Sequence, residues 1–163
     1  MTDRALKSIA KESVPRAIEK AERYRLLNDP HQAVSICHDV LAIDPDSAEA
    51  KRILILALTD QFASGAHHVK AARELAKSLP SPYEQSYYLG IVYEREARAF
   101  LAKGLSGSFA FEAFHEAMSH FEVAEKLRPP GNDDAILRYN SCLRTIDEHE
   151  LTGRDYEPEH PLE

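Results

Sequence analysis

Two stretches of the sequence decide its fold: SYYLGIVY at residues 86–93 and AMSHFEVAEKLRP at residues 117–129. In the first stretch Gly90 lies three residues before Tyr93, and in the second Phe121 lies between alanines at helical spacing. Small side chains let two helices approach closely, while large aromatic side chains fill the space beside them. The two stretches therefore predict a pair of tightly packed helices.

The same arrangement recurs along the chain. Anchors of successive first helices are 34, 35 and 49 residues apart; they are Tyr24, Leu58, Tyr93 and Cys142. The prolines that follow successive second helices are 35 and 49 residues apart; they are Pro45, Pro80 and Pro129. Both series fit a repeat of about 34 residues, and both share a long third interval. We therefore expect an insertion of about 15 residues inside the third pair of helices.

The repeating unit resembles the tetratricopeptide repeat family, whose pattern is W-x2-L-G-x2-Y, then A-x3-F, then P. The third pair matches at Leu89-Gly90-x2-Tyr93 and at Ala117-x3-Phe121-x2-Ala124-x4-Pro129, with Ser86 in the tryptophan position. The first pair matches at Ala21-x2-Tyr24 and at Ala33-x3-Cys37-x2-Val40-x4-Pro45. The second pair is degenerate, because His68 and Ala72 stand where the small residue and the aromatic belong.

This resemblance covers roughly residues 14–147 and implies an all-α fold. The expected architecture is an α-solenoid of about three tetratricopeptide-like hairpins, with an elongated third hairpin and a C-terminal capping helix. We expect residues 1–13 to form a leading helical extension and residues 14–151 to form the repeat domain. Residues 152–163 are acidic and contain two prolines, so we expect a tail without a core of its own.

Helix start signals support this organisation. Ser81-Pro82-Tyr83-Glu84 has the form of a capping box with proline in the first turn, Asp29–Gln32 is similar, and Asp46–Glu49 lacks only the proline. Eight helices are predicted; they lie near Asp3–Lys11, Pro15–Leu27, Pro30–Ile43, Ser47–Ala63, His67–Leu79, Pro82–Lys103, Ser108–Leu127 and Asp133–Glu150.

The composition of the chain argues against nucleic-acid binding and against a membrane-spanning segment. The 20 basic and 27 acidic residues give a formal charge of -7, which is the wrong sign for a nucleic-acid surface. The longest apolar stretches have six and seven residues, where a membrane span needs about 20, so we expect no membrane segment. Two cysteines 105 residues apart form no disulfide framework, and we expect a reducing, cytoplasmic location.

The sequence favours binding over catalysis. It contains no P-loop, dinucleotide fingerprint, nucleophile elbow or H-E-x-x-H motif. His67 and His68 are adjacent, and His115 and His120 are five apart, whereas helical metal ligands prefer a spacing of three or four. Cys37 and Cys142 take core positions of the repeat. We therefore expect no catalytic residue, no metal and no cofactor.

The family resemblance implies a non-enzymatic protein–protein interaction module, a scaffold or adaptor that holds an extended peptide in a concave groove. Helical phase assigns the groove lining to Glu22, Arg25, Arg52, Thr59, Tyr87, Ile91, Glu94, Asn140 and Arg144. Some family members grip a terminal carboxylate with a lysine and an asparagine; here those positions hold Ile18 and Glu22, so that clamp is not expected. Asn140 and Arg144, four residues apart, could instead grip a carboxylate or a backbone amide.

The insertion supports an alternative function. Four of the six phenylalanines lie within residues 100–114; they are Phe100, Phe109, Phe111 and Phe114. These rings either pack on one another and on the second hairpin, or form the interface of a structural homo-oligomer.

The charge distribution adds one further hypothesis. Residues 147–163 contain seven acids and one base. This acidic segment could fold back over Arg25, Arg52 and Arg144 and compete with a ligand.

Overall fold

The computed structural model describes residues 3–65 and 68–153. It confirms the all-α prediction, since these residues form seven α-helices and two short 3₁₀ turns, without strands. The helices are α1 Val14–Leu26, α2 Pro30–Ile43, α3 Ala48–Thr59, α4 His68–Lys77, α5 Pro82–Ala102, α6 Gly107–Leu127 and α7 Asp134–Glu148. The 3₁₀ turns are Lys11–Ser13 and Phe62–Ser64.

Side-chain caps begin four of these helices; at the start of α6, Ser106 Oγ accepts a hydrogen bond from the Ser108 N–H at 3.4 Å. Ser81 Oγ accepts a hydrogen bond from the Glu84 N–H at 3.1 Å at the start of α5, and Asp29 Oδ1 accepts one from the Gln32 N–H at 3.3 Å before α2. Before α3 the cap is Ser47, whose Oγ accepts from the Ala50 N–H at 3.3 Å. This is one residue later than the Asp46–Glu49 motif indicates. Each cap satisfies an N–H that has no partner inside its helix.

The predicted leading helix at Asp3–Lys11 is wrong. Residues 4–10 have no regular structure, and the chain first turns in the 3₁₀ segment Lys11–Ser13. Leu6 is 97% exposed, and Ile9 is the residue of this segment that packs on the core. A helix this short is marginal in water unless packing supports it, and here almost no apolar face is buried.

Helices that are consecutive in the chain pack against one another, and α3 also contacts α1 and α5. Two apolar clusters result. The first joins α1–α4 to one side of α5 and contains Leu54 and Ile55. The second joins α5, α6 and α7 and contains Phe114 and Phe121. Helix α5 contributes buried residues to both clusters and is therefore the central element of the structure.

The third pair is elongated, as the repeat spacing predicts. Helices α5 and α6 have 21 residues each, against 13 and 14 in α1 and α2. Their close packing depends on Gly90, because a Cβ there would lie 2.5 Å from Cε1 of the buried Phe121 ring. Where α5 packs against α6, the Phe121 ring occupies the space that the Cβ of any residue other than glycine would need at position 90.

The most apolar stretches of the sequence contribute side chains to the two apolar clusters. In α3, residues Ile53, Leu54, Ile55 and Leu58 are buried in the first cluster. In α5, Tyr87 and Tyr88 pack on the second cluster, and Val92 belongs to the first. No helix in the two described ranges combines the length and the apolar content that crossing a bilayer requires.

Candidate peptide-binding cleft

Helices α1, α3 and α5 meet around one open cavity of about 530 Å³, which we call the arginine cleft. It is lined by the C-terminal ends of α1 and α3, the turn Phe62–Ser64 and the second half of α5. Two predicted groove residues, Arg25 and Thr59, line it. Sequence reasoning missed the other charged lining residues, which are Asp60, Arg95 and Arg98.

Asp60 is the anionic centre of the cleft. Its Oδ2 lies 2.9 Å from Arg25 Nε, and its Oδ1 accepts a hydrogen bond from Arg25 Nη2 at 3.4 Å. The Arg25 Nε–H is not aligned with the carboxylate and has no hydrogen-bond partner among the described residues. Arg95 Nη1 lies 3.7 Å from Asp60 Oδ1. Burial lowers the pKa of Arg95, although attraction to Asp60 and Glu94 opposes that shift.

A second carboxylate, Glu94, holds the seam between α5 and α7. Its side chain is 5% exposed, and its Oε2 accepts hydrogen bonds from Arg98 Nε at 3.2 Å and Arg138 Nη1 at 3.5 Å. The Cys142 thiol donates to Glu94 Oε1 at 3.7 Å. Arg98 Nη1 also donates to Thr145 Oγ1 at 3.2 Å. Glu94 is thus saturated by its neighbours, and Arg98 connects this seam to the cleft.

The network has an excess of positive charge. Four guanidinium groups, on Arg25, Arg95, Arg98 and Arg138, face two carboxylates, which leaves a formal excess of two positive charges. The whole chain carries -7, so this local surplus opposes the overall sign. Charges in a partly enclosed cleft are less screened than charges on an open surface. The cleft therefore favours an anionic group.

The remaining predicted groove residues are more dispersed. Arg52 forms an ion pair with Glu84, and the Tyr87 hydroxyl accepts a hydrogen bond from Arg138 Nε at 3.0 Å. Ile91 is 1% exposed inside the second cluster and presents no side chain to a surface groove, because α6 and α7 enclose that side of α5.

Three other predicted residues lie away from the charged network. Glu22 and Arg144 are exposed, and Asn140 is half-buried. Arg144 is without an ion pair to any residue that the structure describes, so the Asn140 and Arg144 pair remains a surface feature of α7. Arg138, on the same helix, is the residue that reaches α5. The sequence contained one signal for this charged network: Glu94 and Arg98 are four residues apart, which is the spacing typical of a helical ion pair.

The predicted phenylalanine cluster divides between core and surface. Phe114 is fully buried in the second cluster, whereas Phe109 is 44% exposed. Phe100, Phe109 and Phe111 line an open cavity of about 440 Å³ between α5 and α6, which we call the aromatic groove. The Phe100 and Phe109 rings lie 6.1 Å apart. Phe114 does not line this groove and belongs instead to the buried interior of the second cluster.

Two of the four histidines singled out by the sequence, His115 and His120, stack on aromatic rings. His120 lies 5.3 Å from the Tyr93 ring, and His115 lies 6.1 Å from the Phe111 ring. Burial lowers the pKa of His120, with Glu116 opposing the shift. His67 falls outside the described residues. Within the described ranges no three His, Cys, Asp or Glu side chains are grouped so that they could hold a metal ion.

Both cysteines are buried free thiols, in the core positions that the repeat pattern assigns to them. Burial raises the pKa of Cys37 to about 12. Burial raises the pKa of Cys142 to about 12 as well, with Glu94 adding to the shift. A thiol with so high a pKa is protonated at neutral pH and is a poor nucleophile or ligand.

Of the acidic segment, only the first part is described. Thr152 and Gly153 follow α7, and residues 154–163 lie outside the described residues. Arg25 and Arg52, two of its predicted contacts, already pair with Asp60 and Glu84. The hypothesis that the segment covers Arg25, Arg52 and Arg144 therefore stays a prediction.

No family model, no curated protein and no solved structure matches this chain. The tetratricopeptide resemblance consequently stands on the residues quoted above.

Proposed function

We propose that the chain is a non-enzymatic protein–protein interaction module, a small α-solenoid of tetratricopeptide-like hairpins that binds a peptide segment in the arginine cleft. Three features support the solenoid: consecutive packing of the helices, contacts of α3 with both α1 and α5, and a repeat of about 34 residues. Such stacking places the first helices side by side, which is where the cleft lies.

The observation that carries the proposal is the convergence of three hairpins on one positively charged cavity. Arg25 comes from the first pair, Asp60 follows the first helix of the second, and Arg95 and Arg98 come from the third. A ligand here would contact all three pairs at once. That is the expected behaviour of a concave solenoid surface.

The lining also indicates what kind of segment fits. Beside the guanidinium groups the cleft has an apolar wall formed by Leu26, Phe62, Ala63 and Ala99. Leu26 is 73% exposed, so its side chain is open to a ligand. A segment that combines a carboxylate with an aliphatic residue would pair with Arg95 or Arg98 and cover Leu26. The residues that line the cleft would bind and position such a segment, and none of them is an activated nucleophile.

Fluorescence anisotropy tests this function with two labelled peptides, one alternating Glu and Leu and the other alternating Lys and Leu. We expect the acidic peptide to bind more tightly, with an affinity that falls as salt rises, because ions screen the cleft. Arg95→Glu should weaken the acidic peptide at least about tenfold, equivalent to about 1.4 kcal/mol. Arg16→Glu is the matched control, since Arg16 is exposed on α1 outside the cleft.

Peptide affinities of Arg95→Glu and Arg16→Glu can be compared directly when both variants retain wild-type helical content. Equal binding of the acidic peptide by Arg95→Glu and Arg16→Glu would contradict the assignment to the cleft. Binding of neither peptide at low salt would contradict peptide binding of this class altogether.

A structural homo-oligomer is the second candidate, because three of the four predicted phenylalanines do line one surface groove. Sedimentation equilibrium at two concentrations separates it from the first candidate. A constitutive dimer sealed through this groove would keep its mass on dilution, and Phe109→Asp would convert it to a monomer.

A further inference from the structure

The Asp60 carboxylate joins two arginines of the arginine cleft without satisfying either of them. Arg25 Nη2 donates to it at 3.4 Å, which is long for a hydrogen bond, and Arg25 Nε at 2.9 Å is misaligned. Arg95 Nη1 lies 3.7 Å away, at ion-pair distance only. A well-formed pair of guanidinium and carboxylate makes two parallel hydrogen bonds of about 2.7–2.9 Å. Arg25 and Arg95 therefore keep N–H groups that a second anion can accept from.

Arg98 lines the same cleft but is already engaged. Each of its three nitrogens donates a hydrogen bond: Nε to Glu94 at 3.2 Å, Nη1 to Thr145 at 3.2 Å and Nη2 to Ser141 at 3.0 Å. Its guanidinium is thus fixed against α7, and the Glu94 carboxylate compensates its charge. Turning it toward a ligand would break these hydrogen bonds, so the other two arginines of the cleft are the ones available to a ligand.

The available part of the cleft has a surplus of one positive charge, because the guanidinium groups of Arg25 and Arg95 face the single carboxylate of Asp60. These side chains are largely enclosed, with exposed fractions of 20–32%. A ligand carboxylate carries one negative charge, whereas a phosphate monoester carries about two at neutral pH. Attraction to the cleft grows in proportion to the ligand's charge, but the cost of removing the ligand from water grows with the square of that charge. A surplus of one therefore suits a carboxylate better than a phosphate.

We propose that Asp60 sets the anion selectivity of the cleft, so that Arg25 and Arg95 accept a single carboxylate of the bound segment and disfavour a phosphorylated side chain. This selectivity rests on the proposed function, because it concerns the same cleft, and it names the ligand group. Asp60 acts through the two arginines and need not touch the ligand. It also reduces the repulsion between the two guanidinium groups when the cleft is empty.

Fluorescence anisotropy with matched peptides tests this selectivity in the full chain. One probe is the labelled peptide that alternates Glu and Leu, and in the other probe phosphoserine replaces every Glu; both have an amidated C-terminus. We expect the wild type to bind the Glu peptide at least about threefold more tightly. Asp60→Asn raises the surplus to two charges, so the phosphoserine peptide should gain at least about tenfold in affinity relative to the Glu peptide.

Asp46→Asn is the matched control. It removes the same charge from the chain, but Asp46 is exposed before α3, at the opposite end of that helix from Asp60. The preference of this control for the Glu peptide should equal that of the wild type. Asp60→Glu keeps the charge and should keep the preference, even where both affinities fall.

A third probe, which alternates Gln and Leu and has a free C-terminus, distinguishes the two sources of a carboxylate. Weaker binding of this probe than of the Glu peptide assigns the ligand group to a side chain, and binding of equal strength assigns it to a chain terminus. Either result agrees with selection of a carboxylate.

Three outcomes would contradict the selectivity. If Asp60→Asn and the wild type show the same ratio of affinities while the Glu peptide still binds, Asp60 does not set the selectivity, and the proposed function stands. Tighter binding of the phosphoserine peptide by the wild type would overturn the selectivity without reference to any variant. Binding of no peptide by the wild type would contradict the proposed function and the selectivity together.

Discussion

Helices α1 to α4 pack around branched aliphatic side chains, whereas α5 to α7 pack around phenylalanines, alanines and a buried carboxylate. In the first region Leu54, Ile55 and Val40 form the interior. In the second region Phe121 lies directly on Gly90, and Glu94 joins α5 to α7. The helical hairpin is therefore maintained by two kinds of packing within one chain.

The difference has a consequence for specificity. Aliphatic side chains of similar volume can replace one another at modest cost, so the first region fixes its helices mainly through total volume. The Phe121 ring on Gly90 has only one close-packed position. The Glu94 carboxylate between Arg98 and Arg138 likewise keeps its hydrogen bonds in only one arrangement of the helices. The second region therefore fixes the relative position of α5, α6 and α7 more strictly, and both the cleft and the groove depend on α5.

The largest effect should come from removing the central ring of the second region. Phe121→Ala deletes a fully buried aromatic side chain, and we expect a loss of about 3–5 kcal/mol in the free energy of unfolding. Leu54→Ala is the counterpart in the first region, with an expected loss of about 2–5 kcal/mol. Urea unfolding gives both values. Hydrogen exchange should show faster opening of α6 and α7 in Phe121→Ala, and uniform acceleration along the chain would contradict separate regions.

Loss of the buried carboxylate should rank second. Glu94→Ala leaves Arg98 and Arg138 without their shared acceptor, and we expect a cost of about 2 kcal/mol, since both arginines keep some solvent contact. Glu125→Ala is the matched control, because Glu125 is more exposed and lies 4.0 Å from Arg128; we expect less than about 0.5 kcal/mol. Equal urea midpoints for the two variants would show that the α5–α7 seam is not stabilised by its charges.

The glycine contact should rank third. Alanine is normally favoured over glycine inside a helix by about 1 kcal/mol. At position 90 we expect the opposite sign, a loss of about 1–3 kcal/mol, because the new Cβ would meet the buried Phe121 ring. Combining Gly90→Ala with Phe121→Leu should recover part of the loss. A stabilised Gly90→Ala protein in urea unfolding would mean that the ring can move aside.

Capping should have equal effects in the two regions. Ser47→Ala removes the cap of α3 and Ser81→Ala the cap of α5, and each should cost about 1 kcal/mol. The reason is that a cap acts on N–H groups within its own first turn, whatever the helix packs against. Replacement by Asp should restore most of the stability measured by thermal unfolding. A difference above about 1 kcal/mol between the two sites would show that packing sets the value of a cap.

The smallest effect at neutral pH concerns the thiols, one in each region. Folding raises the pKa of Cys37 and Cys142 from 9.0 to about 12, so the folded protein keeps protons that the unfolded chain loses above about pH 9. Stability should therefore decline between pH 9 and pH 12. Cys37→Ala and Cys142→Ala should each flatten this decline relative to the wild type, and unchanged slopes in both variants would contradict the burial of the thiols.

Much of the helical layout was predictable, because its signals are local. The caps at Asp29 and Ser81 and the long third interval placed α2, α5 and α6 close to their observed bounds. The predicted leading helix is wrong because a short helix also needs tertiary contacts, which local signals do not reveal. Residues 3–11 have local helix-forming character, but Ile9 is their one apolar side chain that packs on the core, and local preference alone does not stabilise a helix of that length.

The candidate sites were only partly predictable. Phase along α1 and α3 correctly brought Arg25 and Thr59 to the cleft. The same reasoning placed Ile91 on the surface, because one helix's phase does not reveal that α6 and α7 enclose that side of α5. Among the phenylalanines, composition identified the cluster, but the packing decided that Phe114 is buried while Phe109 is partly exposed.

The sequence by itself determined that the chain is helical, where most helices begin, and that small and large residues alternate along a repeat. Those properties arise from interactions within a few residues. The tertiary structure alone decided that Arg25 meets Asp60, 35 residues away, and that Arg138 meets Glu94, 44 residues away. Electrostatic sites of this kind depend on distances between helices, and those distances are set by the volumes of the side chains packed between them.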